Sequence, residues 1–348
     1  MTSLILTKIF TLTSIGFVFA LLATPLLTHF LYKYKLGKNI RDDGSTPVFS
    51  ALHKDKKGTP TMGGILVWGT VVIIAVVFWI ADRIFEIPGA HGFNFLTRRE
   101  TLLPLGAFLG ASLVGLADDF LDINRLGHKG RGFPFRFKVF LYTLVAIIGA
   151  WWFYFKLDFS YLHVPFYGNL EIGWLFIPFF ILVVVGTSFA VNETDGLDGL
   201  AGGTLLIAFL SFSLISYMSG RENLAAFLGV TIGGLLAFLC FNVYPARFIM
   251  GDTGSMGLGV LLAIVAFLTN SVLLLPLIGF IFVIEAFSAI IQIFSKKVFK
   301  RKIFISAPIH HHFEALGWPE TKVTMRFWII SAVTSIIGVI IFFLDRYL

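Results

Sequence analysis

Acidic, amide and hydroxyl side chains occur in this sequence in short dense strings whose composition is that of cation and phosphate chemistry. Asp118, Asp119 and Asp122 stand in "ADDFLD", with Asp122 about one helical turn beyond the first two. Carboxylates this close repel one another, so keeping them together is favourable mainly when a metal or a basic partner neutralises them; a solvated helix end is the plainer alternative. Asn192, Asp195 and Asp198 recur every third residue in "AVNETDGLDGLAGG", along one side of a helix or turn. Gly196, Gly199, Gly202 and Gly203 surround them and permit close approach of backbone to a ligand. A nucleotide would fit such a surface, and so would a simple helix cap with glycines that relieve packing. In "MGDTGS", Asp252 offers a hard oxygen ligand while Thr253, Gly254 and Ser255 offer hydroxyl and backbone donors, a set suited to Mg²⁺ together with phosphate. The string is not a P-loop, because the required glycine spacing and following lysine are absent.

His310, His311 and His312 form a run in "APIHHHFE". They could bind a transition metal, although no cysteines accompany them and the acids elsewhere favour a hard cation. They could equally form a solvated loop, or contact phosphates and transfer protons, since histidine titrates near physiological pH. Glu285 lies inside an apolar run, where an unpaired charge is costly, so it must face protein or water. Gln292 follows two turns later, and the helix carrying both is expected to border the site or to bend there.

The elements that must hold these residues are membrane helices. Of 348 residues, 57% are hydrophobic and 14% charged, with a mean hydropathy of +0.87, far from the composition of soluble domains. About 20 apolar residues make one helical crossing. Ten such runs are expected, at Leu4 to Leu31, Gly63 to Ala81, Leu102 to Ala117, Val139 to Phe155, Trp174 to Ala190, Leu200 to Met218, Leu224 to Phe241, Met256 to Asn270, Val272 to Phe294 and Phe327 to Leu344. The first has Ala20 and Ala23 in the manner of a signal peptide, but its length and the spans that follow favour retention as an anchor. The lone Cys240 lies within a span and excludes a disulfide framework. With no repeat or long linker, residues 1–348 are expected to form a single membrane domain.

The net charge of +7 does not point to nucleic acid; its distribution sets the topology. Of the 27 lysines and arginines, 20 fall in the odd-numbered connections and 7 elsewhere, which puts the odd connections in the cytoplasm and both termini outside. All five polar strings, from "KKGTPTMGG" in the first connection to "APIHHHFE" in the ninth, then share the cytoplasmic face. One external segment, "YLHVPFYGNLEIGW", alternates apolar and polar residues around Tyr167, Gly168 and Asn169 and reads as a short β-hairpin with a structural role.

The ordered strings "TPTMGG", "VNETDGLDGLA" and "APIHHHFE" resemble the bacterial phospho-N-acetylmuramoyl-pentapeptide transferases, within the polyprenyl-phosphate N-acetylhexosamine-1-phosphate transferase superfamily. The resemblance covers nearly the whole chain. It implies an all-α polytopic fold in the bacterial inner membrane and transfer of phospho-N-acetylmuramoyl-pentapeptide from its uridine diphosphate (UDP) carrier to undecaprenyl phosphate. The products would be lipid I and uridine monophosphate (UMP), the cofactor Mg²⁺, and the assembly a homodimer. Carried over by motif, Asp118, Asp119 and Asp252 would form the acidic centre, with Asp252 first among metal ligands and Asp118 the candidate base. Asn192, Asp195, Asp198, Asn242 and Gln292 would line the nucleotide side, while Lys57, Lys138 and His310, His311 and His312 would contact phosphates or nearby groups.

Two positions depart from the family pattern. Asp122 stands where the muramoyl branch commonly has lysine, which leaves a phosphate contact missing or supplied by Arg125 or Lys129. Ile249 stands where a phenylalanine is usual before Met-Gly-Asp, so stacking of uracil there is in question, with Phe248 adjacent. The sister branch that uses UDP-N-acetylglucosamine is the near alternative. A transporter or lipid flippase would explain ten spans and Glu285, but it would require a polar path across the membrane rather than five strings on one face.

Overall fold

The computed structural model describes residues 2–37, 58–98, 100–127 and 132–347. Lys57 and Lys129 lie outside the described residues. The apolar runs are helical, as they must be where lipid offers the backbone no hydrogen-bond partner. In chain order the helices are α1 (Thr2–Lys33), α2 (Ile65–Arg83), the short α3 (Ala90–Phe93), α4 (Leu102–Ile123), α5 (Phe135–Lys156), α6 (Phe176–Thr194), α7 (Leu200–Met218) and α8 (Glu222–Asn242). They continue with α9 (Asp252–Leu268), α10 (Leu275–Ile278), α11 (Phe280–Val298), α12 (Ile309–Ala315) and α13 (Glu320–Tyr347). The expected hairpin is present, with strands β1 (Tyr161–Val164) and β2 (Gly168–Glu171) pairing Tyr161 with Glu171 and Val164 with Gly168.

Among the described residues, eight helices are long and apolar enough to cross a membrane. The other two expected spans are helical but depart from the simple form. The ninth is broken, with Val272–Ile278 and Phe280–Val298 meeting at an angle of 82°. Gly279, between the two helices, marks the break, which lies before Glu285 and Gln292 rather than at them; Pro276 sits in the first turn of α10, where proline is tolerated. The eighth is α9, only 17 residues long, or about 26 Å against a hydrocarbon core of about 30 Å. It need not match the bilayer, because every residue from Thr253 to Leu268 is buried by protein.

Helix α9 is the hub of the fold, packed against α4 and α6. Small residues allow these backbones to approach. A Cβ on Gly115 of α4 would sit 2.3 Å from the Asp252 carbonyl oxygen, and one on Gly259 of α9 would sit 2.6 Å from the Ser188 Cα. Helices α1 and α8 meet in the same way, since a Cβ on Gly233 would lie 2.3 Å from the Thr13 carbonyl oxygen.

The two chain ends reach the same turn between α7 and α8. Lys8 Nζ donates to Asn223 Oδ1 at 3.0 Å, and the Arg346 guanidinium donates to the Met218 carbonyl. The hairpin is tied to the same end of the molecule by Asp345 of α13, which accepts the Phe166 amide at 2.6 Å and pairs with His163 Nε2 at 2.5 Å. Asp118, Asp119, Asn192 and Asn242 lie at the other ends of their helices, so the polar strings and the termini occupy opposite faces.

Candidate active site

Adjacent residues on an α-helix point about 100° apart, so Asp118 and Asp119 face different sides of their helix. Asp118 turns toward α5. Its Oδ2 accepts from Lys138 Nζ at 2.5 Å and its Oδ1 accepts from the Phe133 amide at 2.6 Å. Lys138 Nζ also donates to Asp252 Oδ2 at 2.7 Å, so one ammonium joins the two carboxylates. The other Asp252 oxygen accepts from Asn192 Nδ2 at 2.9 Å, and the same amide donates to Ser255 Oγ at 2.9 Å. Asp118, Lys138, Asp252 and Asn192, from four separate helices, thus form one continuous cluster.

Asp119 turns toward α9. Its oxygens accept the Asp252 amide at 3.2 Å and the Thr253 amide at 3.0 Å, placing an anion on the positive end of the hub helix. Asp195 Oδ2 accepts the preceding amide, Gly251, at 3.1 Å. Gly251 has a φ of +74°, and a Cβ there would meet Asp119 Oδ2 at 2.6 Å, so glycine is required where the chain enters α9.

These bonds correct one expectation from the sequence. The donors of "MGDTGS" do not present themselves to a phosphate; the fold consumes them. Thr253 Oγ1 donates to the Ser112 carbonyl at 2.9 Å and accepts Trp68 Nε1 at 3.2 Å, while Ser255 Oγ donates to the Gly251 carbonyl at 2.9 Å. The physical reason is burial: a helix surrounded by protein must satisfy its first amides and hydroxyls internally.

Asp198, Asn242 and Gln292 are also buried, and their side chains fasten backbone. Asp198 Oδ2 accepts the Ala246 amide at 2.9 Å. Asn242 accepts the Gly199 amide at 3.1 Å and donates to the Phe248 carbonyl at 3.0 Å, joining the connection after α6 to the one after α8. Gln292 Oε1 accepts the Ile303 and Phe304 amides, each at 3.0 Å, and Nε2 returns a bond to the Phe304 carbonyl at 2.8 Å. Phe248 is fully buried against Phe238 and Phe241 and offers no face for a base; Ile249 beside it is half-buried.

The three histidines divide their work because they occupy successive positions of α12. His310 Nδ1 meets Glu285 Oε2 at 2.8 Å, with both side chains fully buried, so the acid inside the ninth span has its partner. His311 Nδ1 meets Glu314 Oε2 at 2.7 Å, and His312 Nδ1 accepts the Ile305 amide at 3.2 Å. Burial works to lower the His310 pKa, but the Glu285 carboxylate opposes it and prevails with help from Glu314 and Glu193, leaving the imidazole above its ordinary value. Among the described residues His310 Nε2 is buried without a protein partner, and it faces Gly196, where a Cβ would stand 2.3 Å away. The histidine run therefore joins the glycine-rich string after α6. The first connection joins as well, since Gly63 and Gly64 donate to the Ile249 and Met250 carbonyls, both at 2.9 Å.

A family model described as glycosyl transferase family 4 matches residues 101–270, which include Asp118, Lys138, Asn192 and Asp252. A phospho-N-acetylmuramoyl-pentapeptide-transferase of Chloroflexus aggregans is 38% identical over 94% of this chain and 88% of that protein. The chain belongs to the phospho-N-acetylmuramoyl-pentapeptide transferase family. Proteins of the same name from Thermoanaerobacter pseudethanolicus and from a Geobacillus species are 39% and 34% identical, over 96% and 94% of this chain and 98% and 95% of theirs. As a member of that transferase family the chain is an enzyme and a multi-pass membrane protein.

Among the described residues no three acidic, histidine or cysteine side chains converge as an all-protein cage. Mg²⁺ does not require one, because it is usually held by one or two carboxylates with substrate phosphates and water. Asp118 Oδ2 and Asp252 Oδ2 already share one cationic group, so a pair of hard oxygens converging on positive charge is present and fits Mg²⁺. One participant was not singled out in the sequence: Glu320, whose Oε1 accepts the Asp198 amide at 2.5 Å, carried no local signal. Ser255, named there as a phosphate donor, instead accepts from Asn192.

Proposed function

We infer that the chain transfers phospho-N-acetylmuramoyl-pentapeptide from its UDP carrier to undecaprenyl phosphate, producing lipid I and UMP at the cytoplasmic face of a bacterial inner membrane. The observation that carries this reading is Lys138 bridging Asp118 and Asp252 in the cluster at the helix ends, in a chain of this family. A site at that depth suits two substrates that arrive from different phases. The acceptor's polyprenyl tail stays in lipid while its phosphate reaches the interface, and the nucleotide arrives from water. Holding both there supplies proximity.

An acceptor phosphate oxygen attacks the sugar-bearing phosphorus. The new P–O bond forms as the bond to the UMP oxygen breaks, and that oxygen departs with the electron pair. The acceptor phosphate is already ionised near neutral pH, so a strong base is not needed and a direct displacement is sufficient. Lys138 carries three N–H donors, and Asp118 and Asp252 take two; the third is available to a phosphate oxygen. Asp118, held by the Phe133 amide, orients that ammonium, and Asn192 orients Asp252. His310 Nε2, unpaired among the described residues, packs against Gly196 of the glycine-rich string and supports that string beside the centre. Mg²⁺ held by Asp252 and Asp118 would offset the repulsion between the two anionic substrates and the charge on the departing phosphate.

The test is donor discrimination. Purified protein with undecaprenyl phosphate is expected to release UMP from UDP-N-acetylmuramoyl-pentapeptide and not from UDP-N-acetylglucosamine; the reverse preference would assign it to the sister branch. A phosphosugar adduct isolated on Asp118 or Asp119 would replace direct displacement by a two-step route.

A further inference from the structure

Helix α5 carries Lys138 near its first turn and Lys156 as its last residue, so the two lie about 27 Å apart. Around Lys156, on the face opposite the aspartates, is a cavity of about 470 Å³. Three cationic side chains line it, Arg98, Lys156 and Arg221, against the single acid Asp158. They come from the segment before α4, the end of α5 and the turn between α7 and α8. None of the three makes a salt bridge among the described residues. Three converged cations with a single acid among them leave an excess of positive charge, which is unfavourable unless a further anion occupies the space between them.

A second observation points to an acceptor. Trp152 lines the same cavity, and among the described residues its indole N–H is shielded from solvent without a hydrogen-bond partner. Buried donors are normally paired. A third observation concerns the route to the cavity. Phe140, Leu144, Ile148, Trp151 and Phe155 form one exposed apolar stripe along α5 that ends at Lys156, whose Nζ lies 5.5 Å from the Trp151 ring centroid. Such a stripe accommodates an acyl chain, for which a free anion has no use.

We propose that this cavity binds the phosphodiester headgroup of an anionic phospholipid in the leaflet opposite the active site, with an acyl chain along α5. Arg98, Lys156 and Arg221 supply the charge, the Trp152 N–H donates to a phosphate oxygen, and the α5 stripe supplies the apolar contact. The site ties together the ends of helices that carry Asp118, Lys138 and Asn242 at their other ends.

The experiment is a thermal-melt titration of the full-length protein in detergent with short-chain phosphatidylglycerol, phosphatidylcholine and inorganic phosphate. Phosphatidylglycerol is expected to raise Tm saturably, and the other two are not. Replacing Arg98, Lys156 and Arg221 by Gln should raise the half-saturating concentration roughly fivefold per cation removed, and Trp152→Phe should raise it by a smaller factor. UMP release by these variants should stay at the wild-type rate, which shows that they are folded. Should the triple variant not fold, Trp152→Phe and Arg98→Gln carry the same comparison singly. Equal stabilisation by phosphatidylcholine, saturation by inorganic phosphate alone, or unchanged phosphatidylglycerol binding in the variants would each overturn the proposal.

Discussion

Asp119 accepts the backbone amide of Asp252 at 3.2 Å, although the two residues are 133 positions apart in the chain. One carboxylate of the acidic string therefore fixes where the hub helix begins, and with it the direction in which the Asp252 side chain points. Its neighbour Asp118 instead fixes Lys138. Two adjacent acids thus act on the same centre from different sides, one through backbone and one through charge.

Asp119→Ala removes both amide acceptors at the start of α9. A lost cap of this kind costs about 1–2 kcal/mol, more than Asp119→Asn, which keeps one acceptor oxygen. Melting curves should rank wild type, Asp119→Asn and Asp119→Ala in that order, and UMP release should follow the same ranking. Equal stability of all three would remove the capping role.

Lys138→Gln leaves Asp118 and Asp252 facing each other without the ammonium. Side-chain exposure is 22% for Lys138 and 6% for Asp118, so solvent cannot substitute fully. The rate of transfer should fall by roughly 10²–10³. Added Mg²⁺ should raise the Tm of the variant more than that of the wild type, because a divalent cation then satisfies both carboxylates alone. A metal-independent melt for the variant would show that the two acids do not form a cation site.

The His310 pKa lies above its ordinary value of 6.5, chiefly because the Glu285 carboxylate outweighs burial. A raised histidine pKa contributes stability that is fully present below the unfolded pKa and is lost as pH rises through the folded one. Glu285→Gln removes that contribution. The Tm difference between wild type and variant should therefore be greatest at pH values below 6.5 and shrink on raising the pH past the folded pKa. A difference independent of pH would mean that the pair is not charged.

Gly115→Ala and Gly110→Ala make the same change on the same helix with opposite surroundings. At Gly115 the new Cβ meets the Asp252 carbonyl oxygen at 2.3 Å, whereas at Gly110 nothing lies within 4 Å. The first should cost about 1–3 kcal/mol and disturb Asp252, lowering activity; the second should be neutral or slightly stabilising. Thermal melts and UMP release on the pair check this.

The sequence carried the helices and their common polar face because hydropathy and charge are local and additive. All ten apolar runs are helical, and the strings around Asp118, Asn192, Asp252 and His310 do converge. What each polar group does once there was not legible. Asp118 and Asp119 looked interchangeable until their helix set them at different neighbours, and the donors after Asp252 looked available until α9 was seen to be buried. Asp198, Asn242 and Gln292 satisfy backbone amides contributed by other connections, a requirement that exists only after the chain has folded. The 82° break falls at Gly279, while Glu285 and Gln292 are accommodated by His310 and by the loop after α11.

The most direct test of the acidic centre is UMP release from UDP-N-acetylmuramoyl-pentapeptide by the purified protein with undecaprenyl phosphate, with and without Mg²⁺, beside Asp252→Ala. Release that requires the metal and falls by about 10³ or more in the variant is the predicted result. Release by Asp252→Ala at the wild-type rate would contradict the account.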